Sequence, residues 1–329
     1  MLSRVLRRWV LPFFYDESQA RLRSLWRIGI QLALLFALTP LVGPGFRELE
    51  RALAATPEHR FGEAGLWIVV SMLVITSVWA CCRFLDRRSL VELGLRVTRG
   101  FWLDLAFGVV LGALLMGAIA LAERALDVAT YAVRPSSGAD VPDQVYVVVA
   151  LYAFVAVAVN EELVSRGYHL TNLAEGLSFR WVSRERAVLA AAILSSLVFG
   201  LAHATNPHAS ITSTGNIVLA GLMLATGYLV TGELAIPLGL HLGWNFFQNL
   251  FGMPVSGQDR FFFGALLVRV EHGPEWLTGG AFGPEAGMTG TLACVLGTLL
   301  VLGWVRIRKR ELRIADVRAA RFVSASRPA

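Results

Sequence analysis

Residues 145–166 read VYVVVALYAFVAVAVNEELVSR, and this stretch decides what kind of molecule the chain is. From Val145 to Val159 no side chain ionises except the phenols of Tyr146 and Tyr152. Wound as a helix rising 1.5 Å per residue, residues 145–166 together extend about 33 Å, enough to cross ~30 Å of hydrocarbon. The stretch ends, however, in Glu161, Glu162 and Arg166. One charge near a bilayer centre costs on the order of 3 kcal/mol to insert. Three together persist only by pairing with one another or by performing chemistry, so function is to be sought there.

The rest of the chain is of the same kind. It is 55% hydrophobic and only 16% charged, with a mean hydropathy of +0.58; a soluble protein carries nearer a quarter charged residues. Eight apolar stretches approach the ~20 residues a span needs: Leu25–Val42, Leu66–Cys82, Phe101–Leu121, Val145–Leu170, Val188–His203, Gly215–Val230, Leu234–Leu250 and Thr289–Val305. The expected fold is all-α, a polytopic integral membrane bundle of about eight transmembrane helices. Its expected parts are a cytoplasmic or interfacial tail (1–24), an eight-helix domain (25–305, motif core 145–250) and a basic cytoplasmic tail (306–329). The first apolar stretch has too long a basic lead for a signal peptide, and no small-residue cleavage site follows Val42, so a retained span is expected.

The net charge of +6 is a statement about topology. Flanks 1–27, 83–100, 171–187, 231–233 and 306–329 hold 22 Lys and Arg, whereas flanks 43–65, 123–144, 204–214 and 251–288 hold 7. This asymmetry follows the positive-inside rule for eight spans with both termini cytoplasmic, as in a multi-pass protein of a bacterial inner membrane. Membrane lipids are therefore the expected surroundings, and no nucleic-acid partner is needed. Cys81, Cys82 and Cys294 all lie in apolar stretches and have no CxxC spacing or disulfide framework.

Residues 1–15 combine Arg4, Arg7 and Arg8 with Trp9, Phe13, Phe14 and Tyr15, as an interfacial anchor does. In the polar connections 43–65 and 123–144, Pro44, Pro57, Pro135 and Pro142 are expected to stop the flanking helices. The connection from Phe251 to Met288 is long, rich in Gly and Pro, and apolar around Phe261–Phe263. It suits either a re-entrant or surface-lying lid or a plain structured outer loop.

Within the spans the ionisable residues reduce to Glu161, Glu162, Arg166, His203 and His241, with Asp104 near an end. Glu162 and Arg166 are spaced i,i+4, a favourable ion-pair offset. Phe199 and His203, and His241 and Asn245, repeat that spacing. With a turn near residue 182, Glu161 and His203 come to similar depth, about 20 Å from the inner face. His241 and Asn245 lie roughly 12–18 Å along their own helix, which Pro237 is expected to open by freeing the carbonyl of Glu233.

The three motifs, in order, are Glu161-Glu162-Leu-Val-Ser-Arg166, Phe199-Gly-Leu-Ala-His203 and His241-Leu-Gly-Trp-Asn245. Together they resemble the CAAX protease and bacteriocin-processing family, which comprises the type II CAAX prenyl endopeptidases and their bacterial relatives. Ser165 departs from the aromatic residue that many relatives carry there, which bears on pocket shape. The resemblance implies an intramembrane endopeptidase of the glutamic type, with Glu161 activating a water. His203 would hold that water, His241 and Asn245 would donate to the oxyanion, and Glu162, Arg166 and Phe199 would support the site. The substrate implied is a membrane-associated peptide, CAAX-like, lipidated or a leader peptide.

No cofactor is expected from that reading. A zinc version remains open, with Glu161, His203 and His241 as the two-His, one-carboxylate ligand set. So do a transporter, since intramembrane Glu, Arg and His mark ion paths, and a non-catalytic immunity scaffold. His169 reads as interfacial and Asn206 and His208 as solvated. Asn249 is divided between packing and cavity lining, and His59 and His272 read as exposed.

Overall fold

The computed structural model describes residues 11–17, 20–53, 59–136, 142–258, 264–309, 311–315 and 317. Each apolar stretch of the sequence becomes a helix: α1 Ser24–Leu53, α2 His59–Ala80, α3 Arg99–Ala125, α4 Asp143–Glu162, α5 Arg184–Ala202, α6 Ile211–Thr231, α7 Ala235–Leu250 and α8 Met288–Lys309. Two of them run on into wider, π-helical turns, α2 through Cys81–Asp86 and α4 through Leu163–Leu170. Beyond the second, Thr171–Gly176 returns to α geometry.

Among the described residues six helical segments are long and apolar enough to cross a membrane: 67–86, 99–125, 143–176, 184–202, 211–231 and 288–309. The apolar described part of α1, Ser24–Leu38, is shorter, and α7 has 16 residues. A polytopic helical bundle is what forms, while eight full-length spans are not established.

Polar residues set the boundaries. Thr98 Oγ1 accepts the Phe101 amide at the head of α3, Ser183 Oγ accepts Arg186 before α5, and Ser210 Oγ accepts Ser213 before α6. Each hydroxyl satisfies an amide with no partner within the helix.

Two proline expectations fail. α1 continues through Pro40 and Pro44 to Leu53. Pro237 does not open α7: it lies in the first turn, where its missing amide costs nothing. The Glu233 carbonyl accepts the Thr231 hydroxyl instead.

The connections hold a strand pair that helical periodicity did not announce. Ala129–Val133 (β1) pairs antiparallel with Leu267–Glu271 (β2), Tyr131 facing Arg269. This ties the 123–144 connection to the 251–288 connection. Glu123 accepts Arg269 Nε and Nη2 at 2.8 and 2.9 Å, as well as the Tyr131 hydroxyl. The Phe261–Phe263 run lies outside the described residues.

α7 is the axis of the bundle, buried on almost every side. Glycines let α3 reach it. A Cβ on Gly239 would stand 2.1 Å from the Leu105 carbonyl oxygen, and one on Gly243 2.3 Å from that of Val109. From the other side, Cβ atoms on Gly108 and Gly112 would meet the Leu240 and Trp244 amides at 2.6 and 2.4 Å. Two interlocked small-xxx-small faces thus bring the backbones together, the packing that helices without a hydrophobic drive between them rely on.

Candidate active site

α4 presents Val157, Asn160, Glu161, Val164 and Ser165 to one cavity of about 450 Å³. These positions recur at helical spacing, so they share a face. α5 adds Phe199 and Ala202, and α7 adds Leu240, His241, Trp244 and Asn245. His203 closes the set. It follows the last residue of α5, so it stands at the helix end and not within a span.

The carboxylate and the two rings meet. Glu161 Oε2 lies 3.8 Å from His241 Nε2 and 4.0 Å from His203 Nε2. That oxygen is buried and accepts no hydrogen bond. The other ring nitrogens are engaged: His203 Nδ1 contacts the Phe199 carbonyl at 2.8 Å, and His241 Nδ1 contacts Glu162 Oε1 at 2.8 Å. A carbonyl only accepts, so His203 Nδ1 carries the proton, and in the neutral ring Nε2 is the free acceptor. The same logic applied to Glu162 turns the His241 Nε2 lone pair inward.

Glu162 is fully buried and Arg166 nearly so, with Arg166 Nη1 donating to Glu162 Oε1 at 2.7 Å. Arg166 Nη2 donates to the Gly221 carbonyl at 3.1 Å, and the guanidinium lies 4.3 Å from the centre of the Phe199 ring. Phe199 also lies tilted against His203, ring centres 4.8 Å apart, and meets His241 edge-on at 6.2 Å. Arg166 therefore grips Glu162, Glu162 grips His241, and Phe199 fills the corner between both rings. Asn245 lines the cavity one turn beyond His241.

Among the described residues no group of three His, Cys, Asp or Glu has a metal-holding arrangement. Zinc draws N and O ligands to about 2.0–2.2 Å, which sets tetrahedral neighbours ~3.3 Å apart. The contacts of 3.8 and 4.0 Å around Glu161 are wider than that.

Sequence reasoning missed parts of the wall. His169 is buried, not interfacial: Nε2 meets Gln31 Oε1 at 3.0 Å, and the residue lines the cavity. Asn206 also lines it and donates to the Ser256 carbonyl at 2.9 Å, so it is not simply solvated. Asn249 is buried away from the cavity, His208 is exposed, and His272 is exposed beside Asp127. The side chain of His59 lies outside the described residues. The 251–288 connection contributes Val255, Ser256, Gln258 and Glu285. Burial pushes the Glu285 carboxyl up to about 7, and it accepts Gln248 Nε2 at 2.6 Å and the Ser256 hydroxyl at 3.2 Å. None of these was legible, because a loop residue has no periodicity to betray its direction.

Compared with known proteins, residues 143–247 (105 of 329) match the family model of the type II CAAX prenyl endopeptidases, Rce1-like. The match runs from the start of α4 into α7 and contains all three motifs. No curated protein and no solved structure matches. The six apolar helices make the chain an integral membrane protein, and its 143–247 region is similar to CAAX-type proteases.

Proposed function

From the match of residues 143–247 to the Rce1-like family model, we propose that the chain is an intramembrane endopeptidase that hydrolyses its substrate with a water activated by Glu161. The observation that carries this reading is the unpartnered Glu161 Oε2 facing two inward Nε2 atoms inside one cavity. A water seated between them donates one proton toward Glu161 and the other toward His203. Glu161 takes the first proton as the water oxygen attacks the peptide carbonyl carbon, a role for which carboxylates in dry clefts are suited. Asn245 donates to the oxyanion from its side-chain amide, and His241, held by Glu162, lines the same site. As the tetrahedral intermediate collapses, the C–N bond breaks and Glu161 returns its proton to the leaving amine. Glu162 and Arg166 hold the His241 ring in place throughout.

The same reading assigns a side. With both termini on the arginine-rich side of a bacterial inner membrane, Asn206, Ser256, Gln258 and Glu285, which line the cavity from the 204–214 and 251–288 connections, support a mouth on the opposite side. Exported or membrane-anchored peptides fit that mouth better than cytosolic ones.

The test uses purified protein in liposomes and two fluorescence-quenched peptides, one farnesylated on a CAAX cysteine and one bare leader-type sequence. Cleavage of either, abolished by Glu161→Gln at unchanged fold, is the expected result. Cleavage that persists in Glu161→Gln overturns the reading. The zinc version draws on the same inward lone pairs, and activity lost to exhaustive chelation and restored by Zn²⁺ decides for it.

A further inference from the structure

Asn160 stands immediately before Glu161 on the cavity face of α4 and has no function in the scheme above. It is 6% exposed, and neither its Oδ1 nor its Nδ2 has a hydrogen-bond partner. A buried amide that pairs with nothing costs about 1–3 kcal/mol for each unsatisfied group. A leucine of similar size would remove that cost, so the amide does nothing for the fold. Yet Asn160 lines the same cavity as Glu161, Asn245 and His203.

We propose that Asn160 is a substrate-binding residue that takes the main chain of the bound peptide beside the scissile bond. This rests on the endopeptidase reading above. An extended peptide drawn into an apolar cavity brings unpaired N–H and C=O groups with it, each needing a partner where water is scarce. A primary amide supplies one donor and one acceptor together, matched to one peptide unit. Strand residues advance ~3.3 Å each, so a side chain adjacent to Glu161 on the helix meets the peptide one or two residues from the bond being cut. Val157 and Val164, a turn to either side, are apolar, so along this row of the cavity wall Asn160 is the polar side chain.

The experiment measures KM and kcat on the farnesylated quenched peptide for wild type, Asn160→Leu and Asn160→Asp, with thermal unfolding of each. Asn160→Leu is expected to raise KM about tenfold, change kcat less, and unfold no earlier than wild type. Asn160→Asp, which keeps the acceptor and loses the donor, falls between. A series of peptides with a single N–H replaced by an ester oxygen, away from the scissile bond, sharpens the test. One position weakens binding to wild type and has no further effect in Asn160→Leu. An unchanged KM in Asn160→Leu, with Glu161→Gln inactive, overturns this inference alone. Earlier unfolding with no change in KM assigns Asn160 to the fold and overturns it too. Cleavage persisting in Glu161→Gln overturns the reading on which it rests.

Discussion

Two clusters of buried charge hang on the continuous helix from Asp143 to Gly176, and they are built from the same residue types. At its end, Glu175 Oε2 accepts Arg21 and Arg27 at 2.9 Å each, and Oε1 accepts Arg88. Asp86 alongside accepts Arg27 and, at 3.3 Å, Asn172. In the middle, Glu162 is held by Arg166 and His241, but Glu161 Oε2 has no hydrogen-bond partner at all. In the cluster at the end, which joins α1, the 87–98 connection and the end of α4, every carboxylate oxygen already accepts a hydrogen bond. The middle one keeps a lone pair for something that is not part of the fold.

Neutralising one carboxylate in each cluster separates stability from activity. Glu161→Gln is expected to lower peptidase kcat by about 10²–10⁴-fold, the span of general-base catalysis, and to leave thermal unfolding where it was or raise it. Glu175→Leu is expected to do the reverse. It takes away the carboxylate that three buried arginines share, leaving Asp86 to hold Arg27, and costs about 3–5 kcal/mol, while kcat per folded molecule holds. Unfolding by differential scanning in detergent and turnover on the quenched peptides read both. If Glu161→Gln unfolds early, or Glu175→Leu folds normally with lost activity, the contrast between the clusters is wrong.

Sequence reasoning reached the middle cluster and passed over the one at the end. Glu161, Glu162, Arg166, His203 and His241 stand out because apolar runs surround them, so their intramembrane cost is visible in one dimension. Arg21, Arg27, Arg88 and Glu175 lie at span ends, where charges normally face water or headgroups, and they were counted only as topology. Burial there comes from four segments meeting, which no local pattern encodes. The helices were legible for the same reason as the middle cluster: hydropathy over ~20 residues is a strong signal. The β1–β2 pair was not, since its register joins Val133 to Leu267 across the whole motif core. Glu285, at the close of that long connection, was hidden likewise.

Glu285 supplies a third carboxylate, intermediate between the two extremes, and its response to pH tests what holds the cavity roof. Its partners are Gln248 of α7 and Ser256, and the Cys294 thiol of α8 is the other titratable group facing it. Burial pushes its carboxyl up to about 7, so the folded state keeps the proton where the unfolded chain has released it. Below about pH 4 both states are protonated and nothing is lost. As pH rises from there to about 7, each unit costs about 1.4 kcal/mol, about 4 kcal/mol in all, and above 7 the cost is constant. Amide exchange of residues 251–258 and 277–287 is therefore expected to quicken from pH 5 to 7.5. In Glu285→Gln only the intrinsic pH dependence of exchange should remain. A wild type whose protection does not change with pH refutes the assignment.

The smallest effect separates the clusters by their scaffolds. α7 carries His241 and Asn245 and is set in place by Gly239 and Gly243 against α3, whereas no residue of the Glu175 cluster lies on α7. An alanine at position 243 drives its methyl to within 2.3 Å of the Val109 carbonyl oxygen, which backbone must yield to admit. Overpacking of this kind costs about 1–3 kcal/mol. The shift it forces on α7 moves the His241 ring relative to Glu161, and displacements near 1 Å commonly cost a catalyst tenfold or more. Gly243→Ala is thus expected to lower kcat about tenfold with a modest loss of stability. Val109→Ala, which leaves the opposing carbonyl in place, should not restore it. A Gly243→Ala protein with native kcat would mean that the close approach of α3 is not what sets His241.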